Sequence, residues 1–320
     1  MYKLVTIFVL FMLIGCQAEQ PNTPTPQSIS VDTAQTDTLT TIEADIIPEP
    51  ISLSPVPNRD NIRKKLQSKI DTKQPLVVHV FVPLCDNENQ GIVPTSRPSL
   101  GNGLSLKSNL YWATSTGMKK YFKTDSKWQL LDNFYDVDSN VLERVVFRRN
   151  YSNGAIVYLV ADAYRGDRME ATVNDYLRAL SNSYEEQLEI DSQKIAIHGG
   201  ADFMVFNGHN GLMDMVEVQG WTNTSDKETD AAIIACISSD YFEEYLIQAK
   251  AYPLLRCNHL LHPGAYVLSP VIDGWVNNIE DDVLKVHAGR AYCKRHKCSA
   301  KTSRNYFSTG WAAPQEEIVF

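Results

Sequence analysis

Two side chains in this sequence have the types and the setting that acyl-transfer chemistry needs. His209 follows the apolar run Phe203-Met204-Val205-Phe206, and Cys236 follows Ala231-Ala232-Ile233-Ile234-Ala235, 27 positions later. A thiol attacks a carbonyl only as the thiolate, so it needs a base that takes its proton and later returns it to the leaving amine. An imidazole at the next strand end does both. Taken singly, a cysteine after a buried strand is also an ordinary small core residue, and a histidine before glycine an ordinary turn residue. Only the pairing gives them a chemical reading. Other polar residues stand at expected strand ends: Cys85-Asp86-Asn87, Asp162, and Ser238 just past Cys236. Asp86, Asn87, Asp162 and Ser238 are candidates to line a substrate cleft. The two aspartates are also candidates to orient His209, or simply to cap loops.

The elements that must position these groups are legible as alternating strand-like and helix-like runs. Pro75–Val82 is a continuous β-branched and apolar stretch, as in a strand buried on both faces. Apolar residues at helical spacing over 108–122 predict a helix. Strands are expected at 141–147, at 155–161 (ending on Asp162), at 203–206 and at 231–235. Helices are expected at 169–180, about 240–250 and 278–294. The stretch Met215–Trp221 has the alternation of a short hairpin. Repeated strand, loop and helix units argue for an α/β three-layer sandwich with a mostly parallel central sheet, in which chemistry sits at the carboxyl ends of the strands. His198-Gly199-Gly200 precedes its strand and reads as a loop at the opposite edge. His259 and His262, by the Pro263-Gly264 turn, are either cleft-lining or solvated.

A strand ending in Gly208-His209-Asn210-Gly211, followed by one ending in Ala235-Cys236-Ile237-Ser238, resembles the catalytic core of the caspase-like cysteine peptidases, the group of caspases, gingipains, separases and CHAT domains. The resemblance covers roughly residues 75–270. It implies a caspase-like fold, His209 as general base, Cys236 as nucleophile, and a protein or peptide substrate cleaved at an amide bond. It also implies an oxyanion hole from the Cys236 amide and a glycine near His209, each donor contributing ~3 kcal/mol. In the family the glycine follows the histidine directly; here Asn210 intervenes, and Gly208 and Gly211 flank. Either Asn210 serves in its place with its own amide or the site is degenerate. Over Cys85-Asp86-Asn87, Gln90–Pro94, Asn109–Trp112 and Gly208–Asp214 the chain is also similar to further bacterial proteins, a likeness that implies no activity. The rival reading is a non-catalytic binding lipoprotein on the same scaffold; a third, a metal-assisted hydrolase using His209 and Asp214, has no third ligand near. No cofactor motif is present, and the cysteine–histidine cluster Cys293-His296-Cys298 lacks the second ligand pair of a structural zinc site, so no metal is expected.

Composition frames the rest. With 43% hydrophobic residues among 320, the chain can bury one substantial core. Lys3 followed by the apolar run Leu4–Ile14 has the form of a secretory signal, too short for a permanent span. Leu13-Ile14-Gly15-Cys16 resembles the lipobox of bacterial lipoproteins. That resemblance implies a signal peptide over 1–15, a bacterial membrane anchor through lipidated Cys16 and, with Gln17 rather than Asp next, outer-membrane retention facing the periplasm. Residues 16–60, rich in Pro and Thr, cannot bury enough apolar surface to offset their ordering entropy and read as a disordered tether. The folded domain is then 61–320. Net charge is −8, and the basic clusters are short, with Arg148-Arg149 and Lys294-Arg295 reading as ordinary solvated faces, so nucleic acid is not an expected partner. Beyond Cys16, five cysteines remain, and at least one stays unpaired within the chain. Cys293 can bond Cys298, or either can reach Cys257 or Cys85. Two disulfides among those four would leave Cys236 free.

Overall fold

A computed structural model describes residues 57–311. The signal segment, Cys16 and most of the tether lie outside the described residues. Ten strands form: β1 (Leu76–Pro83), β2 (Gln129–Tyr135), β3 (Val141–Asn150), β4 (Ile156–Tyr164), β5 (Glu185–Ile190), β6 (Gln193–His198), β7 (Phe203–Asn207), β8 (Thr229–Ile234), β9 (Ala251–Cys257) and β10 (Phe307–Ser308). All but β5 and β6 make one eight-stranded sheet in the order β10-β9-β8-β7-β1-β4-β3-β2. The pairs β4-β1, β1-β7, β7-β8 and β8-β9 are parallel, whereas the pairs β2-β3, β3-β4 and β9-β10 at the two sides are antiparallel. Every residue of β1 is buried, as its unbroken apolar run requires of a strand covered on both faces.

The chain adds strands on one side of β1 as far as β4, then reverses and adds β7, β8 and β9 on the other. Ligands of open α/β sheets bind where such a reversal leaves a crevice outside the carboxyl ends, here between β1 and β7.

Helices cover both faces, which makes three layers. On one face α1 (Arg59–Asp71), α2 (Met118–Thr124), α6 (Ala265–Val276) and α7 (Asp281–His296) pack Ile62, Phe122, Trp275 and Leu284 against Val78, Val80, Phe203 and Val205. On the other, α3 (Met169–Leu180) and α5 (Glu243–Gln248) pack Val173, Tyr176 and Leu246 against Phe81, Met204, Phe206 and Ile233. Each fully buried side chain of this size contributes about 1.5–3 kcal/mol. The short α4 (Ser238–Tyr241) links β8 to α5, and α8 (Ala300–Asn305) precedes β10. Among the described residues no helix is long and apolar enough to cross a membrane.

Several expected elements differ. The first described element is α1 at Arg59, two residues ahead of the expected boundary. Helix forms over only the end of 108–122, because Asn109 organises the preceding turns: its side chain accepts the Cys85 and Tyr111 amides at 3.1 and 3.0 Å and donates to the Cys85 and Asn102 carbonyls. Residues 215–221 form no strand. A hairpin forms instead from β5 and β6, as a separate two-stranded sheet.

Candidate functional site

The parallel register pairs Asn207 of β7 with Ile234 of β8, so His209 and Cys236 each leave the sheet two residues beyond a paired position, at the same edge. Gly208 bridges this exit, its amide donating to the Ile234 carbonyl at 3.3 Å. A Cβ at Gly208 would lie 2.5 Å from the Pro83 ring, so only glycine lets β7 pass the end of β1 at this spacing. Asn210, fully buried, ties the two strand ends together: its Nδ2 donates to the Cys236 carbonyl at 2.7 Å while its Oδ1 caps the turn that follows by accepting the Leu212 amide.

That turn, Gly211–Asp214, returns Asp214 to the histidine. His209 Nε2 lies 2.7 Å from Asp214 Oδ2, which also accepts the Gly91 amide at 2.9 Å, so the loop after β1 helps hold the carboxylate. His209 is only 6% exposed. With Nε2 facing the carboxylate, Nδ1 is the ring atom left for a reacting group.

Cys236 is half-buried, and its neighbour Ile237 sits at φ 45°, ψ 35°. A β-branched residue in the left-handed region costs about 1–2 kcal/mol, and such strain clusters at functional sites. The sulfur accepts the Leu261 amide at 3.2 Å and its thiol reaches the Leu261 carbonyl at 3.4 Å. Burial pushes the thiol above its ordinary value, and the Leu261 amide opposes that shift without cancelling it. Among the described residues the imidazole and the sulfur thus take different partners, Asp214 and Leu261, rather than each other. The Tyr111 hydroxyl faces the Cys85 thiol. Burial raises the Cys85 thiol to about 11 and holds the Tyr111 hydroxyl well above its usual value, with Cys85 and Cys236 adding to the latter.

The remaining expected residues divide. Asp86 and Asn87 do line a cavity of about 360 Å³ at the end of β1, together with Glu88, Ser99, Asn102 and Asp167. Within it Asp86 accepts the Glu88 and Asn89 amides and Asn87 accepts the Thr95 amide, which are loop-capping roles. Neither His209 nor Cys236 is part of its wall.

Asp162 is not a cleft residue. It lies within β4, which runs on to Tyr164, and it is fully buried under a bidentate Arg144 at 2.7 and 2.8 Å, with His79 Nε2 at 3.1 Å. Arg144 and His79 hold its carboxyl below the usual range against the opposing effect of burial. Ser238 is also internal, donating to the Ile233 carbonyl and accepting the Cys257 amide, both at 2.8 Å.

Of the expected oxyanion donors, the Gly208 amide belongs to the strand pairing and the Asn210 side chain holds the Cys236 carbonyl, while a Cβ at Gly211 would meet Met169 and Val173 of α3. His198 is no solvated loop residue: it ends β6, buried beside Arg144 and Glu186. Cys293 and Cys298 form the disulfide, while Cys85, Cys236 and Cys257 are free thiols, so the two-disulfide scheme is replaced by one.

Ligand atoms of His79, Asp162 and His198 lie within 4.8 Å of one another, the spacing of a metal site. They do not fit one: Arg144 occupies the carboxylate, and His79 Nδ1 accepts the His198 amide at 3.0 Å while Nε2 faces Asp162.

Three contributors escaped the sequence reading: Asp214 as the orienting partner of His209 rather than a fellow metal ligand, Tyr111 against the Cys85 thiol, and the Leu261 backbone. Only the first had a local signal, an Asn-capped turn returning within five residues. No family model, curated protein or solved structure matches the chain.

Proposed function

We propose that this domain is a cysteine hydrolase of the caspase-like type that cleaves an amide bond in a protein or peptide, anchored to the bacterial outer membrane through lipidated Cys16 and facing the periplasm. The observation that carries the reading is the His209–Asp214 pair at 2.7 Å, joined by Asn210 to the carbonyl of Cys236 on the next parallel strand. The strained Ile237 immediately after the sulfur supports it.

In this reading the thiol leaves Leu261 when substrate enters and passes its proton to His209 Nδ1, while Asp214 holds the ring and stabilises the imidazolium. The thiolate adds to the carbonyl carbon, His209 protonates the departing amine, and a thioester to Cys236 remains. Water, deprotonated by His209, then releases the acid and restores the thiol. The Leu261 amide, once off the sulfur, is free to donate to the developing oxyanion.

A second reading has its own observation: the Cys236 thiol is raised by burial and paired with backbone, as in an unreactive core cysteine, which favours a binding lipoprotein on the same scaffold. Cleavage of a fluorogenic peptide-amide library by the purified domain separates the two. Hydrolysis lost in both Cys236→Ala and His209→Ala is the expected result; no hydrolysis by the parent protein after mild reduction leaves the binder.

A further inference from the structure

The loop 258–264 joins β9 to α6 and lies across the candidate nucleophile. Leu261 engages the sulfur through both its amide and its carbonyl, and the His259 carbonyl accepts the Ile237 amide at 3.0 Å. Leu260 at its crest is 66% exposed, whereas Leu261 packs into the core and the Asn258 amide donates to the Tyr306 carbonyl at 3.1 Å. Tyrosine hydroxyls add further ties. Tyr306 donates to the Leu260 carbonyl at 2.5 Å, Tyr292 accepts the His262 amide at 3.4 Å, and Tyr266 donates to the His262 carbonyl at 2.9 Å. Each hydroxyl has one proton, so the chain has a direction: the His262 amide donates to Tyr292, Tyr292 to Tyr306 at 3.1 Å, and Tyr306 to Leu260. Likewise His296 Nε2, 2.8 Å from the Tyr266 oxygen, donates to it while Tyr266 donates onward to the loop.

These anchors share one dependence. Tyr292 precedes Cys293, His296 lies inside the ring closed by Cys293–Cys298, and α8, which is followed directly by Tyr306, begins two residues after Cys298. The rings stack on one another, Tyr292 on His296 at 4.3 Å and on Tyr306 at 4.2 Å between centroids. The disulfide pins the end of α7 to the start of α8 and so fixes all but Tyr266 of the set.

We propose that loop 258–264 is a cover over Cys236 locked by the Cys293–Cys298 disulfide, and that reduction of this bond by a dithiol opens it. The step balances: the dithiol supplies two electrons and two protons, the sulfur–sulfur bond breaks, Cys293 and Cys298 become thiols, and the dithiol closes to its own disulfide. The end of α7 then loosens, the tyrosine chain releases Leu260 and His262, and Leu261 lifts from the sulfur. This regulation rests on the hydrolase reading for its purpose, but not for its measurement.

The test is the rate at which iodoacetamide alkylates Cys236 in the folded domain, read by peptide mass with and without a phosphine reductant. An increase of about tenfold or more is expected on reduction, and the same increase in unreduced C293S/C298S. Tyr306→Phe, which keeps the disulfide and the packing, is expected to give a several-fold increase if the double variant does not fold. An alkylation rate at Cys236 that ignores both reduction and Tyr306→Phe overturns the cover. Faster alkylation without any peptide hydrolysis upholds the cover while the hydrolase reading falls; hydrolysis with alkylation indifferent to reduction does the reverse.

Discussion

Two histidine–aspartate pairs stand among the described residues, and they contrast a buried structural ion pair with the one on which the hydrolase proposal rests. His79 and Asp162 face each other at 3.1 Å in the middle of adjacent strands, both fully buried. Every polar atom there has work: Asp162 is clamped by Arg144, and His79 Nδ1 accepts a backbone amide, which places its proton on Nε2, toward Asp162. Burial lowers His79 to about 4, with Asp162 opposing, so the ring stays neutral and cannot cycle a proton near neutral pH. His209 and Asp214 are closer, at 2.7 Å, but stand beyond the sheet's edge with only one ring nitrogen engaged by the carboxylate. Similar partners thus do different things according to whether the strand has ended.

The largest expected effect breaks the inner pair. Arg144→Met leaves Asp162 buried without its cation and should cost about 3–5 kcal/mol of stability by denaturant titration, with peptide cleavage per folded molecule unchanged. A matching loss of cleavage would show that the two pairs are not independent. The converse change, His209→Gln, should lower kcat/KM about 10²–10⁴-fold and shift stability by less than about 1 kcal/mol.

A third prediction sharpens the contrast through pH. The folded value of His79, about 4, lies below its ordinary 6.5, so its contribution is complete above pH 6.5 and is lost as pH falls through 4. The loss over that window should be on the order of 3 kcal/mol, and His79→Gln should flatten it. An equal slope in the variant would remove His79 from the account. The smallest effect is expected at the outer pair's carboxylate: Asp214→Asn should cost about 2 kcal/mol in the barrier, near 30-fold in kcat, with little change in KM.

Much of the fold was legible, for reasons visible in particular residues. β1, β7 and α3 carry apolar patterns whose period leaves one solution, and α3 spans 169–180 as read from its spacing. β9 escaped because Pro253 and Arg256 interrupt it; the proline falls where the pairing to β8 slips, and Arg256 is buried with its guanidinium on the Gly310 and Ser239 carbonyls. β5 escaped because three glutamates in six residues read as solvated. Asp162 was misplaced because a charge was taken to end its strand, whereas Arg144 on the adjoining strand lets the strand continue past it. The candidate dyad was legible as two strand ends. The partners of each member, Asp214 and Leu261, depended on loop paths that no periodicity encodes.

The outer rims of the large sheet carry a consequence for how these molecules tolerate crowding. β2 presents Gln129, Asp132 and Tyr135 to solvent and is bulged between Leu130 and Asp132, while β10 offers two residues at the far side. A kinked, charged rim and a stub make poor templates for a further ribbon from a second molecule, so dense populations should resist polymerising through their sheets.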